Sequence, residues 1–511
     1  SGFELVKLKV QNAPEYVTWL AENLAGENTV AFDGNLASLT VAKAVQLGLE
    51  PLGLKVNGHV DLLSALWENR PGLSTNKAYL LSNEATGKAT IDKLAEVRAE
   101  MKKEKAEAHL ISSLDDLAWL LNIRGNDVRC NPVVLGFVYL TQKEAHLYIE
   151  ASKLSEAEIA ELEVSGVVIK PYQSVYQSLK SLTVASILLD SKRTCFAIYD
   201  CVPETVKIIE ALNPSSLLKA VKNEVELAHT RQTMVNDGVA LTKFFKWIEE
   251  NVAPGELSEI SIGEMLLSLR KEQPGFKEIS FDTIAGYKDH GALPHYKAEE
   301  ASNYTLETKG LLLVDSGGQY LTGTTDVTRV VSLGEMKQEE KDDYTIVLKG
   351  MIEGSMAIFT KGTRGYQIDA ITRRPIWAMK RNYSHGTGHG VGFFLNVHEG
   401  PHTFNPTAVD IAVLPGMISS IEPGIYREGK HGVRIENLVA SKDIESNQFG
   451  DFMDFETLTI CYITTDLVET KLLHQEHIDW LNNYNEWVFE KLETKLNEEE
   501  KMWLKNKTKA I

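Results

Sequence analysis

The chain is poor in cysteine and carries fewer basic than acidic residues. Its 511 residues include four cysteines, Cys130, Cys195, Cys201 and Cys461. Four thiols without paired metal-ligand spacing do not make a disulfide framework, and they favour a reducing compartment. Lys and Arg total 53 against 71 Asp and Glu, for a formal net charge of -18. This balance disfavours a nucleic-acid or anionic-membrane partner, because either would bind a basic surface.

The chain also lacks any segment that predicts a membrane anchor. No apolar run approaches the ~20 residues that span a bilayer, and no basic stretch followed by an apolar one opens the sequence. These absences favour the cytoplasm and predict no membrane partner. A hydrophobic content of 43% over this length predicts two to four domains with packed cores.

Local patterns divide the chain into three parts: 1–77, 78–216 and 217–511. The first alternates strand-like and helical segments, with a buried strand predicted at 28–32. The second shows a helical stripe and then a capping box before another helix: Ile91, Leu94, Val97 and Met101, then Ser113 and Asp116. The third opens with a helical stripe of Leu227, Met234, Gly238, Leu241, Phe245 and Ile248. Its helices precede strands, and the chemistry is expected on hairpins.

Two aspartates flank a glycine-marked turn in the third part. An apolar strand is predicted over 309–315 and a return strand over 324–331. The midpoint of positions 315 and 326 is 320.5, inside the turn. We therefore expect Asp315 and Asp326 to face each other across the hairpin, where like charges directly opposite are destabilising. A cation between the two carboxylates would remove that repulsion.

Two glutamates repeat the pattern about a second turn. Glu422 and Glu436 have their midpoint at Gly429, and the flanks 417–421 and 433–439 are strand-like. Between the two hairpins, His385 and His389 alternate with glycines. A spacing of four residues could place both imidazoles on one helix face, but so many glycines disfavour a helix. The pattern indicates an extended backbone that other chain segments approach closely.

Together these residues predict a metal centre. Two Asp, two Glu and one His form an oxygen-rich ligand set whose four negative charges two divalent ions would balance. Such sets favour Mn²⁺ over metals that prefer soft ligands, although Zn²⁺, Co²⁺ or Fe²⁺ would also bind.

At these residues the chain resembles the metallopeptidases of the pita-bread fold, and within them the three-domain Xaa-Pro aminopeptidase (aminopeptidase P) family. The resemblance runs through 281–284, 291–296, 315–317, 323–329, 385–392, 395–401, 422–424 and 432–437. The continuation Asn396-Val397-His398-Glu399 is similar to aminopeptidase P rather than to prolidase.

The resemblance implies an α/β and α+β multidomain fold. Two creatinase-like α/β domains, 1–77 and 78–216, would precede a pita-bread α+β catalytic domain, 217–511, with a helical C-terminal extension. Beside the family, the first domain is expected to be truncated at its start.

The resemblance also assigns roles to residues. The expected metal ligands are Asp315, Asp326, His389, Glu422 and Glu436. The expected catalytic residues are His295, His385, His398 and Glu422, with Glu422 passing a proton to the leaving group. The expected substrate-binding residues are His295, His398, Tyr426, Arg434 and Arg124.

The implied function is that of a metal-dependent exopeptidase. It would remove the N-terminal residue from peptides with proline in second position, through a bridging water activated by two divalent ions, with Mn²⁺ preferred and Zn²⁺ or Co²⁺ as substitutes. A homodimer is also implied. One alternative is an Xaa-Pro dipeptidase (prolidase). Comparing the cleavage of Xaa-Pro dipeptides with that of longer Xaa-Pro peptides would distinguish the two activities. Another is a catalytically silent pita-bread binding module, and a third is a metal-independent creatinase-like hydrolase. The presence of all five ligand residues disfavours the binding module and the metal-independent hydrolase.

Overall fold

The computed structural model describes residues 2, 4–8, 13–24, 28–253 and 255–511. The helices are α1 Glu15–Asn23, α2 Leu39–Leu49, α3 Asn83–Thr86, α4 Thr90–Lys103, α5 Leu114–Leu120, α6 Glu156–Val164, α7 Ser174–Lys180, α8 Phe196–Asp200, α9 Pro214–Ala220, α10 Glu224–Asn251, α11 Glu259–Lys271, α12 Gln338–Ser355, α13 Gly365–Ala378, α14 Gln475–Leu492 and α15 Glu498–Lys507. None of these helices is both long enough and apolar enough to cross a membrane, among the residues described.

The strands complete the element list. They are β1 Thr29–Ala31, β2 Lys55–Asn57, β3 Tyr79–Leu80, β4 Ala108–Ile111, β5 Ile123–Arg124, β6 Phe137–Thr141, β7 Ala145–Ile149, β8 Val167–Pro171, β9 Ser186–Leu189, β10 Lys207–Glu210, β11 Phe276–Ile279, β12 Ile284–Tyr287, β13 Leu311–Ser316, β14 Gly318–Tyr320, β15 Gly323–Thr324, β16 Val327–Ser332, β17 Phe359–Thr360, β18 Gly388–Gly390, β19 Glu399–Phe404, β20 Ile418–Ile421, β21 Gly424–Arg427, β22 His431–Arg434, β23 Asn437–Asn447 and β24 Gly450–Thr457.

The chain divides into two compact units. The first comprises Ser1–Leu80, Ala89–Asp127 and Val134–Ser215, and the second comprises Leu81–Lys88, Val128–Val133 and Ser216–Ile511. The expected domain boundaries at 77 and 216 stay a prediction.

The first unit is built on a six-stranded mixed sheet in the order β10-β9-β4-β6-β7-β8. Strands β6 and β7 form an antiparallel hairpin, while β4 and β8 each pair with a parallel neighbour. Helix α4 follows the predicted apolar stripe, since Leu94, Val97 and Met101 are buried; Ile91, at its start, is exposed. The unit therefore has the α/β character that the sequence predicts.

Two local predictions in the first unit are wrong. Strand β1 is only half-buried, with Thr29 exposed, because among the described residues its sheet contains only one other strand, β2. Ser113 precedes α5 but makes no side-chain capping bond. Asp116 instead turns inward and accepts a hydrogen bond of 2.9 Å from Asn213 Nδ2. A partner 97 residues away is not visible in a local capping pattern.

The buried His109 should make the first unit sensitive to acid. It lies on β4 with Nδ1 3.0 Å from the Leu188 carbonyl oxygen, and burial lowers its pKa to about 4. Because the unfolded chain binds this proton more readily, the stability that neutral His109 allows is complete above pH 6.5 and falls as the pH drops toward 4. We expect this residue to cost about 2 kcal/mol between pH 7.5 and 5.0. His109→Gln should flatten the pH dependence of the urea midpoint, whereas the exposed His59→Gln should leave it unchanged. Equal slopes in both variants would contradict the assignment.

The second unit contains the longest helix and most of the antiparallel sheet. Helix α10 buries the predicted stripe, including Leu227, Met234, Leu241, Phe245 and Ile248. The sheets run in the orders β17-β24-β23-β20-β18-β19, β12-β13-β16, β11-β14-β15 and β21-β22. Strand β13 is buried along its whole length, as its apolar run predicts. One continuous hydrophobic core connects α10–α15 with the β12-β13-β16 sheet, the β21-β22 pair and the six-stranded sheet, so these strands are held by packed elements on several sides.

Candidate metal centre

The first hairpin brings Asp315 and Asp326 together, but not directly opposite each other. Asp315 pairs with Thr328 across β13 and β16, and the same register continues through Gln319↔Thr324 in β14 and β15. The hairpin is therefore centred at 321.5 rather than 320.5, and Asp326 lies just before β16. Predicting facing aspartates was wrong because the turn lies later than the glycines suggest. Asp326 still lies two residues from the partner of Asp315, which keeps both carboxylates at the same end of the hairpin.

The second hairpin has the predicted register. Ile421 pairs with Asn437, and Gly424 pairs with Arg434, so both ladders are symmetric about Gly429, which has φ +69°. Glu422 and Glu436 occupy the interruption between the two ladders. Their backbone N–H groups donate elsewhere: Glu422 N to Thr387 O at 2.7 Å and Glu436 N to Thr328 O at 3.1 Å. The break in the ladder thus fixes both glutamates against neighbouring chain segments.

His389 lies on the short strand β18, in the extended conformation that the glycines predict. A Cβ on Gly388 would lie 1.9 Å from the Ser420 carbonyl oxygen, and one on Gly390 would lie 2.3 Å from the Glu399 carbonyl oxygen. Only glycine permits this approach. The His389 N–H also donates to Ser420 Oγ at 3.0 Å, and Ser420 Oγ donates to Glu422 Oε1 at 3.1 Å. Ser420 therefore links two predicted ligands, a role that no motif in the sequence indicated.

The five predicted ligand residues meet in the second unit. His389 Nε2 lies 3.5 Å from Asp326 Oδ2 and 3.4 Å from Glu422 Oε1. Ligand atoms of Asp326, His389 and Glu436 all lie within 4.8 Å of one another. Asp315 lines the same cavity as Asp326, His389 and Glu422. This arrangement can hold metal ions through carboxylate oxygens and one imidazole nitrogen.

Two buried carboxylate oxygens support the fit. Asp315 Oδ1 and Glu436 Oε1 have no hydrogen-bond partner among the described residues, although both atoms are buried. Their second oxygens are satisfied, since Arg434 Nη2 donates to Asp315 Oδ2 at 2.6 Å and Thr328 Oγ1 donates to Glu436 Oε2 at 2.9 Å. An unpaired buried charge is costly, and metal coordination is one of the few ways to compensate it. The donor set therefore fits a hard or borderline divalent cation.

The electrostatics lead to the same conclusion. Burial, together with the charge of Asp326, raises the pKa of Glu422 to about 7, and burial with three neighbouring carboxylates raises that of Glu436 well above its usual range. Burial alone would lower the pKa of His389, but Asp326 and Glu422 outweigh it and raise the value to about 9. Without metal ions, His389, Glu422 and Glu436 thus hold protons more strongly than usual at the position where cations would bind. Divalent ions would allow these carboxylates to ionise and His389 to be neutral.

A chain of polar contacts connects Asp315 with the predicted pocket residues. Arg434 Nη1 donates to Tyr426 Oη at 2.8 Å, and Tyr426 Oη lies 2.8 Å from His385 Nε2. His385 Nδ1 lies 2.7 Å from the Gly386 carbonyl oxygen, and burial lowers the pKa of His385 to about 4. His385 is therefore neutral at physiological pH. Arg434 thus holds Asp315 through Oδ2, and Tyr426, next to His385, holds Arg434 in turn.

The cavity of about 590 Å³ at this site is lined by the remaining predicted histidines, His295 and His398. The rings of His389 and His398 lie edge to face with centroids 4.2 Å apart. Burial lowers the pKa of His398 to about 4, so its imidazole is neutral and keeps one N–H to donate. His295 is exposed at the cavity wall. Both are thus placed to meet a molecule in the cavity.

Arg124 differs from the other predicted site residues. It lies in the first unit, where it is buried and its Nη1 donates to the carbonyl oxygens of Ala118 and Ile123 at 2.8 and 3.0 Å. Its predicted contact with substrate stays a prediction.

The fold and the site define the class first. Buried carboxylates on two hairpins around one imidazole, in an α+β unit with a separate α/β unit, define a metallopeptidase of the pita-bread type. Three family models match the chain. Residues 69–226 match the creatinase/prolidase N-terminal domain, 228–443 match metallopeptidase family M24, and 451–511 match the C-terminal region of that peptidase family.

Individual relatives narrow the class. A probable Xaa-Pro aminopeptidase P from Sordaria macrospora is 37% identical over 95% of this chain and 83% of its own length. Another from Talaromyces marneffei is 36% identical over 100% of this chain and 81% of its own length. The crystal structure of a Caenorhabditis elegans X-prolyl aminopeptidase, described as a cytosolic enzyme with a di-nuclear active site, superposes with a TM-score of 0.92. It is 32% identical and covers 98% of this chain and 84% of its own. The chain belongs to the Xaa-Pro aminopeptidase P family of M24 metallopeptidases.

Proposed function

We propose that Asp315, Asp326, His389, Glu422 and Glu436 hold two divalent ions and that this centre carries the chain's peptidase activity. The chain is an Xaa-Pro aminopeptidase, a metal-dependent exopeptidase that removes the residue preceding proline at a peptide N-terminus. The observation that carries the assignment of the site is the pair of unpartnered buried oxygens on Asp315 and Glu436, beside His389. Four carboxylates require about four positive charges, which supports two ions rather than one.

We propose Mn²⁺ as the preferred ion. The proposed donor set has four carboxylates, one imidazole and no sulfur ligand, which favours Mn²⁺ over Cu⁺ or a thiolate-bound zinc. Zn²⁺ and Co²⁺ remain compatible with the same atoms. The description of the C. elegans relative as di-nuclear supports the number of ions but not their identity.

When bound, the ions supply a water that ionises near neutral pH and positive charge for the developing oxyanion. Glu422 takes up the proton of the attacking water and passes it to the leaving imino nitrogen of proline. Its raised pKa and its position 3.4 Å from His389 support this role. His295 and the neutral His398 donate hydrogen bonds to the scissile carbonyl as charge develops on its oxygen.

The chain's other groups orient rather than react. Arg434 and Tyr426 hold Asp315, and His385 limits the cavity beside them. The free α-amine of a substrate N-terminus is the one group that internal residues of a peptide cannot present. Buried carboxylates at the end of the cavity would bind that amine, which explains an exopeptidase.

Three further properties are proposals. Cytoplasmic location is supported by the sparse, free cysteines and by the description of the C. elegans relative as cytosolic. A homodimer and a division into domains at 77 and 216 are expected from the family.

The test is hydrolysis of a peptide beginning Arg-Pro-Pro by protein stripped with EDTA, with and without added Mn²⁺. We expect free arginine only when the ion is present. A matched peptide with alanine in place of the first proline should be cleaved at least about tenfold more slowly, because the enzyme discriminates through transition-state binding. The dipeptide Arg-Pro distinguishes a prolidase from an aminopeptidase. Faster cleavage of the dipeptide than of the longer peptide would overturn the aminopeptidase assignment. Arginine release in EDTA would contradict the metal centre.

A further inference from the structure

Two lysines and a glutamate form a buried ion cluster next to the predicted catalytic residue His398. Lys219 Nζ lies 2.7 Å from Glu399 Oε2, and Lys222 Nζ contacts Glu399 Oε1. The three side chains are exposed by only 5%, 1% and 1%. We call Lys219, Lys222 and Glu399 the Glu399 cluster. Lys219 lies in the last turn of α9 and Lys222 in the segment between α9 and α10. They precede the glutamate by 180 and 177 residues.

The backbone of Glu399 is tied to two of the histidines that line the cavity, His389 and His398. His398 directly precedes Glu399, and Glu399 pairs across the ladder with Gly390, the residue after His389. The Gly390 backbone packs so tightly that a Cβ there would also lie 2.5 Å from His402 Cε1. A displacement of Glu399 would therefore move the backbone at His398 and press on the strand that carries His389.

The lysines are themselves fixed. The Lys222 N–H donates to the Gly416 carbonyl oxygen at 2.9 Å, and Val221 bridges to Met417, just before β20. Lys222 Nζ also donates to the Ala220 carbonyl oxygen at 3.3 Å. The cluster thus joins β19 to the segment that leads into β20 and Glu422. It connects the backbone of a predicted catalytic histidine with that of two predicted ligands.

Stability alone does not account for three buried charges. Replacing a buried ion pair by packed apolar side chains is often neutral or stabilising, because desolvation offsets the Coulomb attraction. Burial lowers the pKa of Lys222, which Glu399 opposes, so the second lysine is held charged at a cost. A directional contact with both carboxylate oxygens restricts the rotation of Glu399 more strongly than an apolar contact would.

We propose that Glu399, held by Lys219 and Lys222, is a positioning residue that sets the orientation of His398 toward the substrate carbonyl. This inference rests on the proposed function, since it needs His398 to act on the substrate. Residues that orient a catalytic or ligating side chain typically contribute about 10- to 100-fold to activity. The cluster should therefore affect turnover through His398 and leave the metal content unchanged.

A double-mutant cycle tests the proposal. Lys222→Met keeps the length of the side chain and leaves Lys219 and Glu399 as a one-to-one pair. With Mn²⁺-loaded enzyme and the Arg-Pro-Pro peptide, we expect kcat to fall about tenfold or more, with two ions per chain and KM changed less than about threefold. In the His398→Ala background, Lys222→Met should change kcat less than about twofold, because the residue through which it acts is gone.

The controls separate this proposal from a general structural effect and from the proposed function. Lys361→Met removes an exposed ion pair with Asp443, 3.0 Å long, and should leave kcat unchanged. If Lys222→Met does not fold, Lys219→Met breaks the other contact of Glu399 and enters the same cycle. An equal loss in both backgrounds, or no loss from Lys222→Met alone, would overturn the positioning role. No Mn²⁺-dependent arginine release by the unsubstituted chain would instead overturn the proposed function.

Discussion

Asp326→Ala should abolish peptide hydrolysis by releasing metal while the fold persists. Asp326 Oδ2 lies 3.5 Å from His389 Nε2 and belongs to the group whose ligand atoms lie within 4.8 Å of one another. Without it, the site loses a charge that an ion needs, and the loss of metal catalysis corresponds to several kcal/mol, or about 10³-fold in kcat. Asp326 lies between β15 and β16, outside both strands, and the substitution leaves the backbone unchanged, so the hairpin should remain paired. The metal-free variant should unfold at no lower temperature than the metal-free parent, since a buried carboxylate has been removed.

The measurement is metal per chain by elemental analysis, alongside kcat for the Arg-Pro-Pro peptide. Asp443→Ala is the matched control, because Asp443 lies on the exposed part of β23 and pairs only with Lys361 among the charged residues described. It should keep full metal content and turnover. Unchanged turnover with full metal content in Asp326→Ala would mean that the ligand set has been assigned wrongly.

Glu422→Gln should lower kcat by about 10²- to 10⁴-fold, the range for loss of a general acid or base. The amide has nearly the shape of the carboxylate and can still accept the 3.1 Å hydrogen bond from Ser420 Oγ. It cannot take a proton from water or return one to the leaving nitrogen. Because binding groups such as His295 and His398 remain, KM should change much less than kcat.

Glu428→Gln provides the comparison for this variant. Glu428 lies in the same hairpin, beside Gly429, and is exposed. The same chemical change there should leave kcat within about twofold. If Glu422→Gln loses its ions, adding excess Mn²⁺ distinguishes the two roles of Glu422. Full recovery of kcat at high Mn²⁺ would show that Glu422 is a ligand only and transfers no proton.

Local sequence patterns predicted much of the site because its parts are hairpins. The distance of Glu422 and Glu436 from Gly429 is a local property, and the structure has that register. The glycines around His389 likewise indicate the extended, closely packed backbone that the structure has, since a Cβ at Gly388 would collide with Ser420. The predicted centre of the aspartate hairpin was wrong by one residue. Gly317 and Gly318 mark the bend between β13 and β14 rather than the turn itself.

Contacts between distant segments could not be predicted. Lys219 lies at the end of α9 and Lys222 just before α10, positions where lysine usually lies in solvent. Nothing nearby in the sequence shows that both pair with Glu399 in the interior. The Asp116 side chain likewise accepts a hydrogen bond from Asn213, a distant contact that no local capping pattern indicates. The family resemblance supplied His295, His385 and His398, whose positions in the cavity depend on loops that no periodic pattern describes.

The position of His389 between the two hairpins bears on the order in which the metal centre assembles. Each hairpin brings its own two carboxylates close as soon as its turn closes, and this can happen early because such contacts are local. His389 lies between the hairpins in sequence and reaches them only when β18 pairs with both β19 and β20. A nascent chain would thus present two pairs of the proposed carboxylate ligands, each without the proposed nitrogen ligand. We therefore expect tight ion binding only in the completed second unit, so that metal binding would stabilise the finished fold rather than start its assembly.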